Sequence, residues 1–147
     1  MECVDLFRIT KHVKLIPFCD FIFVETKTLS EIKKAIICFL YTERIKSDLI
    51  LTTSLLETLN GMGDEEIVGA EKLLVAYFNA LIGEVNIAAN VSGVHGFKEV
   101  NVKLEDAIQQ IKHHNYANAT KLVSEAISIT TTKGHLAAQT LREKGLI

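Results

Sequence analysis

The run Lys112-His113-His114, followed by Tyr116, is the densest group of side chains in this sequence able to do proton or phosphate chemistry. An ammonium, two imidazoles and a phenol at one helix end could hold a phosphate. They could also move a proton near neutral pH, where an unperturbed histidine titrates. A metal reading fits less well, because neighbouring helical residues point about 100° apart and zinc takes further ligands at helical or loop spacing. As cations, the same residues suit the negative end of a helix dipole. A second set, Tyr77, Asn79, Glu84 and His95, places polar groups on or beside an otherwise apolar stretch. A carboxylate buried there would titrate high and could work as an acid or base; on a wet stripe, or paired with a lysine, it would be structural. The first set is a candidate surface site and the second a candidate polar pocket.

Other chemistry finds little footing. Cys-x-x-Cys, His-Glu-x-x-His and phosphate-loop patterns are absent, and Gly93 and Gly96 around His95 match no dinucleotide fingerprint. Asp64, Glu65 and Glu66 are consecutive, so their carboxylates fan apart on a helix and cannot converge on a hard cation; they read as a helix start. Cys3, Cys19 and Cys38 are odd in number and sit in apolar company, which points to buried, reduced thiols and a cytoplasmic location. No metal or cofactor is expected, and the balance is toward a protein that is not an enzyme.

Composition narrows the architecture that must position these residues. The 147 residues are 48% hydrophobic and 23% charged with a net charge of −2, an ordinary globular balance. That charge gives no general attraction to nucleic acid or acidic membranes. One proline and eight glycines favour long helices over a many-turned β fold. The acidic N-terminus lacks the basic start and clean apolar core of a signal peptide.

The spacing predicts an all-α, single-domain bundle over 1–147, of five to seven helices. Its centre is the stretch 64–90, apolar on nearly every face, where Ile67, Leu74, Leu81 and Ala88 recur every seven residues. Glu71, Lys72, Asn79 and Glu84 interrupt it, so it is read as a core helix and not a membrane span. Residues 15–24 fit a short strand or a helix opening at Pro17, with helix favoured. Arg8, Lys11, His12 and Lys14 form a small basic cluster before it, read as a solvated face. Thr28-Leu29-Ser30-Glu31 fits a capping box opening an amphipathic helix with Ile32, Ala35, Ile36, Phe39 and Leu40 as its stripe. That helix either turns near Arg44–Ser47 or runs on to the stop at Asn60-Gly61-Met62-Gly63. A loop is expected at 91–96, then a stripe of Val100, Leu104, Ala107, Ile108 and Ile111. Ser128–Thr132 and the turn Thr132-Lys133-Gly134 separate the last two helices.

One segment has a family likeness. Asn115-Tyr116 followed by Ala119 and Ala126, seven apart, resembles the turn and second helix of a tetratricopeptide-type hairpin over about residues 100–130. The resemblance implies an antiparallel hairpin near the C-terminus, with the alanines letting two helices lie close, and suggests peptide binding. The chain lacks the repeat that a stacked array needs, and no family is recognised over its whole length.

The function expected first is a protein-interaction or structural module that self-associates as a homodimer and also contacts another protein, with no membrane partner. It follows from the apolar excess, a mean hydropathy of +0.24, spread over several helices. A small RNA-associated protein or nuclease using Lys112, His113, His114 and Tyr116 is the second reading. A small-ligand-binding bundle around Tyr77, Asn79, Glu84 and His95 is the third.

Overall fold

The structure, a computed structural model, describes residues 18–147, with side chains from Glu25 onward. Cys3, Pro17 and the basic cluster Arg8–Lys14 lie outside the described residues, as does the side chain of Cys19. The chain divides between Glu31 and Ile32 into two compact units. Four helices are described: α1 (Phe18–Asn60), α2 (Asp64–Ser92), α3 (Gly96–Lys112) and α4 (Tyr116–Glu143). The second unit, Ile32–Ile147, is a four-helix bundle, all helical and without strands among the described residues.

Four helices replace the expected five to seven because the breaks anticipated at Thr28 and Ser128–Thr132 do not occur and, of the two alternatives near Arg44–Ser47, the helix runs on unbroken. Residues 18–24 are helical, so the strand near 15–24 is not formed there; an isolated strand would leave its ladder groups unpaired. Thr28–Glu31 lies inside α1 and opens nothing. Ser47-Asp48 and Ser128–Thr132 are also interior, and the reason is visible in their hydroxyls. Ser47 Oγ donates to the Glu43 carbonyl at 3.0 Å, and Thr52 Oγ1 to that of Asp48 at 2.7 Å. In α4, Thr130 Oγ1 donates to the Ala126 carbonyl at 2.9 Å and Thr132 Oγ1 to that of Ser128 at 2.9 Å. Hydroxyls turned back onto their own helix no longer compete with it as caps.

The true stops are short. Gly93 takes φ 67°, and its N–H donates to the Ala89 carbonyl, a left-handed terminus that glycine adopts without strain. Asn115 caps α4 by accepting from the Asn118 N–H at 3.3 Å. Three-residue connections at 61–63, 93–95 and 113–115 make each successive pair antiparallel.

Each helix buries one stripe. On α1 it contains Cys38, Thr42, Ile45, Leu49, Thr52 and Leu56, so the phase differs from the sequence stripe: Ile36 and Leu40 are exposed. On α3, Val100, Leu104, Ala107, Ile108 and Ile111 are all buried. Ala119 and Ala126 of α4 are fully enclosed. The α2 helix is one wall of the bundle and not an enclosed centre. Its inner side, with Leu74, Phe78, Leu81 and Val85, is buried, while Leu73 stands 75% exposed. By length and composition alone α2 could cross a membrane, and 33% of its most apolar stretch is buried.

The bundle closes where α4 returns to α1. A Cβ on Gly134 would lie 2.9 Å from Thr42 Oγ1 and 3.3 Å from Thr42 Cβ. Thr42 cannot swing aside, being 1% exposed with its hydroxyl donating to the Phe39 carbonyl at 2.8 Å. A Cβ on Gly96 would meet only the flexible stem of Lys133. Gly134→Ala should therefore destabilise by about 1–2 kcal/mol, overpacking exceeding the roughly 1 kcal/mol that alanine gains in a helix. Gly96→Ala should stay within about 0.5 kcal/mol. Adding Thr42→Ala to Gly134→Ala should recover part of the loss in urea unfolding. Unchanged or raised stability of Gly134→Ala would show that the helices are not held this close.

Candidate functional site

The tightest polar cluster lies where the α3–α4 turn meets α2. After α3 ends, His114 takes φ 56°, a left-handed conformation uncommon for a side-chain-bearing residue, which redirects the chain into α4. The buried Tyr116 opens α4, and its hydroxyl donates to Glu71 Oε1 of α2 at 2.5 Å. His114 Nδ1 lies 2.7 Å from the same oxygen and 3.3 Å from the Tyr116 hydroxyl, with the two rings edge to face. Glu71 is 14% exposed and His114 65%. Burial first, then the hydrogen bond and charge of Glu71, push the Tyr116 phenol up to about 12.

This geometry assigns roles. With the carboxylate as acceptor, Nδ1 of His114 is the donor of that contact. A carboxylate, an imidazole and a phenol so joined are groups between which protons can move, and proton transfer is the chemistry the cluster could support. Its structural work is a latch: one carboxylate on α2 holds both the turn and the first residue of α4. Lys112 is exposed and, with Glu71, Lys72, Val75 and Ile111, lines a shallow cleft of about 320 Å³. His113 folds back, its Nδ1 2.7 Å from the Gln109 carbonyl, and stands outside the cluster. The structure thus joins His114 and Tyr116 and adds Glu71. In the sequence, Glu71 is legible only as a charge interrupting an apolar helix.

The second set is spread out. Tyr77 is half-buried toward α1, where burial and the nearby Asp48 raise its phenol. Glu84 is paired with Arg44 of α1. Asn79 is exposed. His95 is exposed in the α2–α3 turn, 3.2 Å from Glu99. On the far side of the bundle Lys103 and Glu125 pair at 2.7 Å between α3 and α4. Their hydrogen bond and mutual charge raise the lysine and lower the glutamate.

The largest feature is apolar. Leu73, Ala76, Ala80, Ile87 and Val91 share one side of α2 at helical spacing and are all exposed. Leu40, Leu51 and Leu55 do the same on α1, exposed by 62%, 50% and 38%. The two rows adjoin: Leu55, Leu59, Met62, Leu73, Ala76 and Tyr77 line one groove of about 470 Å³ between α1 and α2. Arg44 and Glu84, within this face, neutralise each other. No protein-family model, curated protein or solved structure matches the chain.

The latch predicts a pH-dependent stability. Tyr116→Phe should lower stability at pH 7 by about 1–3 kcal/mol, the worth of a hydrogen bond to a charged group. The folded phenol titrates near 12, above the ordinary value of about 10 in the unfolded chain. The wild-type margin over the variant is therefore complete below about pH 10 and is lost as pH rises toward 12. Paired urea titrations at pH 7 and 11 check it; a margin unchanged between them would place the phenol outside the latch.

Proposed function

We propose that this protein is a non-enzymatic helical interaction module that self-associates as a homodimer through the outer face of α1 and α2. One observation carries the reading: Leu73, 75% exposed, stands amid a charge-poor apolar surface running along both helices. Soluble monomers rarely expose contiguous apolar patches beyond a few hundred Å², and a two-fold dimer is the commonest way to cover one. The buried thiol of Cys38, raised by its burial, fits a reduced, structural cysteine and a cytoplasmic setting. The Glu71 latch fits a structural role because its carboxylate is shared between two partners on the protein itself.

Sedimentation equilibrium on the full chain tests the proposal. The wild type should dimerise with concentration, and Leu73→Glu should weaken association about a hundredfold, or about 2.8 kcal/mol. Its circular dichroism should be unchanged, since the residue is exposed in the single chain. A wild type that stays monomeric at every accessible concentration removes the reading.

A further inference from the structure

The face assigned to self-association is not uniform along its length. At one end, where α2 begins, Glu65 and Glu66 are exposed. At the other, beside the end of α2, Lys33 and Lys34 of α1 are exposed. Between them α2 presents Leu73, Ala76, Ala80, Ile87 and Val91, none charged, and Arg44 of α1 is already paired with Glu84. Asp48 of α1, half-buried near Tyr77 of the groove, is a further charge between them. The face is therefore acidic at one end, basic at the other and mostly apolar in between.

Such a surface is complementary to itself in one orientation. The 29 residues of α2 extend about 44 Å at about 1.5 Å per residue. Two helices side by side are about 18 Å wide. The face thus offers about 800 Å² per copy, the size of a standard stable interface. A two-fold axis lying in the face and running across the helices reverses one copy end for end. It sets Glu65 and Glu66 of each copy level with Lys33 and Lys34 of the other. A two-fold axis running along the helices would instead bring the two acidic ends together and the two basic ends together, a repulsive arrangement.

We infer that the partner of this face is a second copy of the chain packed antiparallel, with the acidic start of α2 in each copy level with Lys33 and Lys34 of the other, one helix to the side. The inference rests on the self-association proposed above and adds its orientation and register. The end charges select the antiparallel pairing, and the apolar centre supplies the adhesion.

Charge reversal on the full chain, read by sedimentation equilibrium at low and high salt, tests it. Glu65→Lys with Glu66→Lys should weaken the dimer about tenfold at low salt and less at high salt. Lys33→Glu with Lys34→Glu should do the same. The fourfold variant should restore wild-type affinity, and a mixture of the two double variants should form heterodimers in preference to homodimers. The fourfold variant also controls for helix-dipole effects at the start of α2, because it carries the same lysines there. Dimers broken by Leu73→Glu but indifferent to reversal, or not restored in the fourfold variant, would overturn the orientation and leave the self-association standing. A wild-type monomer would overturn both, as would a monomer that instead sediments with neutral and anionic phospholipid vesicles.

Discussion

The closure of α4 onto α1 at Gly134 and Thr42 is the constraint on which the bundle depends. Three of its helix pairs are joined by three-residue turns, so chain connectivity alone keeps those neighbours together. Side-chain packing brings α4 back to α1, helped by the Cys38 thiol, which donates to the Lys133 carbonyl at 3.9 Å. There the sequence places its smallest residue opposite a buried threonine that is locked by its own hydrogen bond. Close approach at this point lets Cys38, Ile45, Leu49 and Leu56 of α1 enter the same core as Val123 and Ala126 of α4. A side chain at Gly134 would wedge the ring open and expose that shared core to water.

Closing a ring of four has a cost for α2. Each member of such a bundle buries roughly a third of its circumference, while α2 is apolar on nearly all of it. Its inner side meets Phe78's neighbours in the core, one flank meets α1 through Glu84 and Arg44, and the other meets α3, where Asn101 donates to Asn86 at 2.6 Å. Among the described residues no helix covers the remaining side, so leucine, isoleucine and valine stand exposed there: the four described helices carry more apolar surface than they enclose.

The parts of this fold that were legible in the sequence are those governed by backbone stops and clean periodicity. Gly61-Met62-Gly63, the glycines around His95 and the Asn115-Tyr116 turn mark the observed connections, and the α3 stripe is buried at every position read as core. What escaped reading depends on which way a hydroxyl turns. Thr42, Thr52 and Thr130 are buried in helix interiors, yet in the sequence they look like polar surface or helix ends. The apparent stripe of α1 accordingly includes Ile36 and Leu40, which are exposed. Glu71 was hidden for a different reason: its partners are 43 and 45 positions away, and no local pattern announces a contact at that range.

The latch and the apolar face share one helix without sharing a side. Glu71 and Leu73 are two residues apart, and two helical steps of about 100° place them on nearly opposite flanks of α2. One flank is fixed to the α3–α4 turn by a buried phenol and an imidazole, and on the other Leu73 stands 75% exposed. A helix anchored in this way presents its outer rows in a fixed register along its length, so association pays little ordering entropy on that side. The acidic and basic ends of the face are then held a set distance apart by α1 and α2 themselves. In the proposed dimer, a partner that matches one end would be matched or mismatched at the other by geometry alone, which is how such a surface would select a copy of itself over other apolar partners.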